Sequence, residues 1–271
     1  MSMTAIMCLT AAIYFETRGE DNVTGQVAVA TVIMNRVDSP RWPSTVCGVV
    51  NQDYQFSYTH DGISDNPYKH ADEPDDKEAL QLAEPIVRKH KVKLAVENHK
   101  DWKAAELAQL IQSFGSEWVG VTLDFGNNVS LLEEPMEVIR TLAPFAFSTH
   151  VKDMGVKAYS NGFLLSEVPL GAGIVDLKEA VILCQKYNPS MTFSLEMITR
   201  DPLQIPCLDE SYWTTFENPS AQDLAKILRL VRDEAYLDSL PGVKNLSAEE
   251  KLAFEEENVL KCLAYSKSQL L

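Results

Sequence analysis

Four short apolar runs, each closed by a polar residue that can bind a metal, set the rhythm of this chain beyond its first quarter. They are Leu94–Glu97, Val119–Asp124, 145–150 and 192–196, and they end on Glu97, Asp124, His150 and Glu196. Each has the length and the β-branched or aromatic content of a strand. Stretches with helical periodicity alternate with them. Residues 77–91 carry Leu80, Leu82, Ala83 and Ile86 on one face. Ala104–Phe114 places Leu107, Leu110, Ile111 and Phe114 at i, i+3, i+4 and i+7, the spacing of a helix stripe facing a core. Pro135–Leu142 and Leu177–Tyr187 read as helices in the same way. The first two steps between run ends, 27 and 26 residues, are one strand-helix unit each, whereas the third, 46 residues, has room for an extra loop over 157–176. Two acidic helices are expected over 220–237 and 247–265, the second opened by the capping-box pair Ser247 and Glu250.

The start of the chain has a different texture. Residues 1–60 read as helix, turn, helix, loop, with a first helix over 4–15. The apolar run 27–37 has the length and alanine content of a buried helix and is ended by Pro40, Pro43 and Ser44. Residues 61–76 are rich in Asp, Asn, Pro, Gly and Ser and read as a connector. The expected division is therefore residues 1–72 and 73–271. A complete eightfold α/β barrel takes roughly 250 residues. The part after the connector is shorter and ends in helices, so the expected fold is α/β, a half-barrel of about four parallel strands with helices, preceded by a small α-helical segment. Such a half-barrel has two open sheet edges, which a homo-oligomer would cover.

Composition narrows the function classes. The chain has 271 residues, 45% of them apolar, with 12 Gly and 13 Pro, as a globular protein does. Its formal net charge of −15 repels phosphate backbones and argues against a nucleic-acid partner. Five cysteines, an odd number with no CxxC spacing, read as reduced thiols in a cytoplasmic chain. No run reaches the ~18 apolar residues of a membrane span. No Lys or Arg precedes Arg18, so the basic start of a secretory signal is missing.

The four run ends also suggest chemistry. α/β barrels place their chemistry at the C-terminal ends of their strands. Three carboxylates and one imidazole suit one divalent ion such as Mn²⁺, Mg²⁺, Co²⁺ or Zn²⁺. Such an ion polarises carbonyl and hydroxyl oxygens, while one carboxylate removes a proton from carbon and another returns it. Glu97-Asn98-His99, Leu123-Asp124-Phe125-Gly126-Asn127, His150-Val151-Lys152-Asp153, Leu195-Glu196-Met197 and the following Thr199-Arg200-Asp201-Pro202 resemble the sugar phosphate isomerase/epimerase group of xylose-isomerase-like TIM barrels. The resemblance runs from about residue 77 to the C-terminus and implies the second half of a TIM barrel. It implies that Glu97, Asp124, His150 and Glu196 bind one metal and that Glu97 and Glu196 are the acid/base pair. Lys152, Asp153 and Arg200 are candidate contacts to a sugar or sugar phosphate. The first four strands of that barrel have no counterpart here.

Residues 9–57 carry a second resemblance. Glu16-Thr17-Arg18-Gly19-Glu20, Gly25-Gln26-Val27-Ala28-Val29-Ala30, Val32-Ile33-Met34-Asn35-Arg36-Val37, Cys47-Gly48-Val49-Val50 and Gln55-Phe56-Ser57 look like SleB-type cell wall hydrolases. Those are lysozyme-like domains acting on peptidoglycan, and the resemblance implies that Glu16 is the catalytic acid. A carboxyl held in a partly apolar groove has a raised pKa and can protonate a glycosidic oxygen. Three functions follow as alternatives: a metal-dependent sugar isomerase or epimerase, a peptidoglycan hydrolase working through Glu16, and a non-enzymatic fusion of two truncated domains. A metal-dependent endonuclease is disfavoured by the charge and by the presence of only five His.

Overall fold

The computed structural model describes residues 32–34, 36–37, 43–50, 76–216 and 218–270. The first and second expected helices, the connector and Glu16 lie wholly or largely outside them. The chain divides into two compact units. The first runs to Val96 and includes Leu110–Gly120; the second holds Glu97–Gln109 and Val121–Leu271.

The elements, in order, are α1 (Val46–Val50), α2 (Asp76–His90), β1 (Leu94–Glu97), α3 (Ala104–Phe114), β2 (Val119–Asp124), α4 (Pro135–Leu142), β3 (Ala146–Val151), β4 (Asp153–Tyr159), β5 (Gly162–Val168), α5 (Leu177–Tyr187), β6 (Phe193–Leu195), β7 (Leu203–Ile205), α6 (Ala221–Asp233) and α7 (Ala248–Tyr265). One sheet has the order β1-β2-β3-β6. Its strands are joined through helices, and β2 with β3 and β3 with β6 are parallel. This is the mixed α/β arrangement with a four-strand sheet that the apolar runs predict. All of β2 is buried, as a strand covered on both faces must be.

The helix ends follow local rules. Pro135 opens α4, where its missing N–H costs nothing. Asp176 and Ser220 cap α5 and α6 by accepting the backbone N–H of Glu179 and Asp223. The capping box expected at Ser247 and Glu250 is formed on α7.

The structure differs from expectation after β3. The extra loop expected over 157–176 is largely a hairpin: β4 and β5 pair antiparallel from Asp153↔Val168 to Tyr159↔Gly162, and β7 adds to β5. Ser160 and Asn161 make the two-residue turn, and Gly162 follows it at φ +149°. A Cβ there would strike the Ile205 carbonyl, so only glycine fits. The hairpin packs Met154, Val156, Phe163 and Leu165 against Ile227 and Val231 of α6. Phe163 and Ile227 are completely buried. This second core explains why the 46-residue step is long: it holds an additional layer rather than a loop.

Cys184, Cys207 and Cys262 are buried free thiols. Cys47 is disulfide-bonded, which corrects the expectation of five reduced cysteines. Among the described residues no helix is long and apolar enough to cross a membrane.

Candidate metal centre

Strand register brings the four run ends together. Asp124 stands opposite His150 and Val151 opposite Leu195, and the Glu196 N–H donates to the Val151 carbonyl at 2.9 Å. Glu97 closes β1 and Glu196 follows β6. One ligand atom from each of Glu97, Asp124, His150 and Glu196 lies within 4.8 Å of the others. Metal–ligand bonds of ~2.0–2.4 Å let two ligands stand at most about twice that apart, so the spread matches a set around one ion.

The charges within the set are balanced internally. His150 Nδ1 lies 3.3 Å from Glu97 Oε1 and 3.0 Å from Glu196 Oε2. Lys152, only 2% exposed, puts Nζ 2.9 Å from both Asp124 Oδ2 and Glu196 Oε1. The close carboxylates of Glu196 and Glu97 push the His150 pKa up to about 10, against the opposing effect of burial. Glu196 is pulled down to about 2, first by the imidazole of His150 beside it and then, against the opposing effect of burial, by Lys152. Burial raises the Asp124 carboxyl, opposed by Lys152. Burial disfavours the Lys152 cation, but the pull of Asp124 and Glu167 exceeds it, and the net shift is upward.

These pairs leave orphan atoms. Asp124 Oδ2, His150 Nδ1 and Glu196 Oε2 are buried and make no hydrogen bond of good geometry, despite their short ion-pair distances. Three orphans on one centre, two carboxylate oxygens and an imidazole nitrogen, form the donor set of a divalent ion. The residues present therefore fit a metal.

The surrounding groups hold the ligands in place. Asp124 Oδ1 accepts the Gly126 and Asn127 N–H groups at 2.9 and 2.7 Å, which turns Oδ2 inward. The completely buried Asn98 accepts the Asp124 N–H at 2.8 Å and donates to the Asp124 carbonyl at 2.9 Å and to Asn128 Oδ1 at 2.8 Å. Asn127 donates to Glu97 Oε1 at 3.1 Å. Such outer contacts fix ligand orientation.

Of the other candidates, Lys152 faces the quartet directly. Arg200 is half exposed and pairs with Glu167 Oε1 at 3.0 Å. Asp153 is completely buried, and its oxygens accept the N–H groups of Met154, Gly171, Gly173 and Val175 at 2.9–3.0 Å. Its carboxylate holds the 171–175 loop. A Cβ on Gly173 would collide with it, so that loop is shaped around the carboxylate. Sequence reasoning missed Asn98, Asn127 and Glu167. An amide directly after a strand-end ligand was the available signal for Asn98.

A sequence model of the Cell Wall Hydrolase family matches residues 20–114. The spore cortex-lytic enzyme of Halalkalibacterium halodurans is 47% identical over 57 residues, which cover 21% of this chain and 17% of that protein. The 3-oxo-isoapionate decarboxylase of Pectobacterium atrosepticum is 31% identical over 108 residues, 38% of this chain and 39% of its own length. This chain thus spans about two fifths of one curated relative and less than a fifth of the other. A xylose isomerase-like TIM barrel protein from Mycobacterium smegmatis, solved in complex with magnesium, superposes with a TM-score of 0.42 at 20% identity, over 59% of this chain and 54% of that one. The chain carries two likenesses. One is to cell wall hydrolases, the other to xylose-isomerase-like barrels. The hydrolase match begins four residues beyond Glu16 and extends past residue 72 to the end of α3.

Proposed function

We propose that residues 73–271 form a metal-dependent sugar or sugar phosphate isomerase/epimerase-like site. The observation that carries the reading is the convergence of Glu97, Asp124, His150 and Glu196 with three orphan donor atoms among them. A bound divalent ion, Mn, Mg, Co or Zn, would polarise the carbonyl and hydroxyl oxygens of a sugar. Asp124 and His150 anchor. Glu97 and Glu196 stand on either side of His150 and serve as base and acid, moving a proton between adjacent carbons through an enediolate. Lys152, whose ammonium reaches both Asp124 and Glu196, is placed to hold a substrate oxygen as charge develops there. A decarboxylase among the relatives supports this type of site, because loss of carbon dioxide beside a carbonyl leaves the same kind of enolate as loss of a proton. A cytoplasmic setting belongs to this reading; the three buried free thiols suit it, whereas the disulfide at Cys47 suits an oxidising compartment.

The test is exchange of carbon-bound hydrogen in deuterated water, followed by NMR on a panel of ketoses and ketose phosphates. Exchange should require a divalent ion and vanish in Glu196→Gln. Exchange that continues without metal, or in that variant, overturns the reading.

The hydrolase match and the spore cortex-lytic relatives favour a second reading, glycan-strand cleavage of peptidoglycan through Glu16. A zymogram cleared by the chain but not by Glu16→Gln would support it; clearing that survives the substitution would end it. The partial coverage on both sides is what a non-enzymatic fusion of two truncated domains would give. A chain inactive in both assays would fit that third reading.

A further inference from the structure

Beside the quartet lies a cleft lined by Lys100, Asn127, Ser166, Glu167 and Arg200 over a floor that includes Met154. Asn127 joins it to the quartet through its bond to Glu97. The cleft is rich in cations for so acidic a chain. Arg200 reaches Glu167 from one side, and Lys100 stands on the same cleft half-buried. Lys100 makes no hydrogen bond or ion pair with the described residues. Burial and the nearby charges of Arg200 and Lys152 lower its pKa, as expected for a cation crowded by cations. Glu167 is already committed: Oε1 takes Arg200 and Oε2 accepts the Ile198 N–H at 2.6 Å. Glu167 and Asp124 attract Lys100 from a distance, but neither forms a direct ion pair with it.

We propose that Lys100 and Arg200 seat an anionic group of the substrate, a carboxylate or a phosphate, and so direct its carbonyl end to the quartet. The inference rests on the isomerase-like reading for the position of the reacting carbon and adds the substrate class: an acidic sugar derivative rather than a neutral sugar. Charge balance points the same way. With His150 a neutral imidazole, as a metal ligand must be, Glu97, Asp124, Glu196 and Glu167 exceed Lys100, Lys152 and Arg200 by one negative charge, and a divalent ion on the quartet would reverse that excess.

The experiment is calorimetric titration of the full chain loaded with Mn²⁺. The probes are a five-carbon alditol, the matching aldonate and the matching alditol phosphate. One of the two anions should bind at least about tenfold more tightly than the alditol, the scale of one charge-assisted contact. Which anion does so separates carboxylate from phosphate. Lys100→Met should erase that preference while still binding Mn²⁺ and the alditol, which also shows that the variant is folded. Equal binding of all three probes, or a preference that persists in Lys100→Met, overturns the proposal. The same titration without Mn²⁺ separates the two claims. A Lys100-dependent anion preference in a chain that binds no metal keeps the anion seat and removes the isomerase reading.

Discussion

Metal binding should expel a proton from His150. In the metal-free chain Nδ1 lies between Glu97 and Glu196, and those carboxylates push its pKa up to about 10. An imidazole nitrogen must be unprotonated to bind an ion. Between the ordinary histidine value near 6.5 and about 10, the ion therefore competes with one proton. Over that window apparent affinity should rise about tenfold per pH unit, or roughly a hundredfold from pH 6.5 to 8.5. The ring is 34% exposed, so solvent screening lowers the upper end of the window but leaves the slope intact. Titrating Mn²⁺ at one pH in two buffers of different ionisation enthalpy measures the proton directly, and close to one should be released per ion. His150→Gln should bind more weakly, with no proton release and a flatter pH dependence. Affinity independent of pH, or no buffer-dependent heat in the parent chain, would refute the reasoning.

Three further outcomes follow from the same contacts. Asn98→Ala removes the side chain that fixes Asp124, so metal affinity should fall by roughly 10–100-fold with the fold intact by circular dichroism; unchanged affinity would show that Asn98 does not position the ligand. Asp153→Asn turns an amide donor toward N–H groups that Asp153 now accepts, Gly171 and Gly173 if it replaces Oδ2, and should cost about 2–4 kcal/mol in denaturant unfolding; a loss below ~1 kcal/mol would contradict the role given to that carboxylate. The Glu196–His150 pair stabilises the metal-free chain over a bounded pH range. The depressed Glu196 contribution is present above about 4.5 and lost toward about 2, and the raised His150 contribution is present below about 6.5 and lost toward about 10. Metal-free melting temperatures should fall on both flanks; Glu196→Gln should flatten the acid flank and weaken the alkaline one, where Glu97 still faces His150.

The sequence carried the parallel sheet because its strands are short apolar runs, β2 fully and β1 mostly buried, bounded by helix-period stretches, so apolar runs and spacing were enough. The quartet was readable for a related reason: a polar residue at the end of such a run has few places to go except the sheet's C-terminal edge. The hairpin of β4 and β5 was missed. Its strands alternate weakly because both faces carry buried residues around Gly155 and Ser166, although Asn161-Gly162 is a strong turn signal. Asp153 read as a substrate contact from its place beside Lys152. Only the three-dimensional path of the 171–175 loop shows four N–H groups converging on it. Lys100 gave no signal at all, since the cleft joins residues from positions 100, 127, 166–167 and 200.

The central claim is that Glu97, Asp124, His150 and Glu196 hold one divalent ion. Anomalous diffraction from crystals grown with Mn²⁺ tests it most directly. The account predicts one peak per chain, with a ligand atom of each of the four side chains at about 2.0–2.4 Å. No peak there, with Lys152 Nζ still bridging Asp124 and Glu196 at full Mn²⁺ occupancy elsewhere, would contradict it.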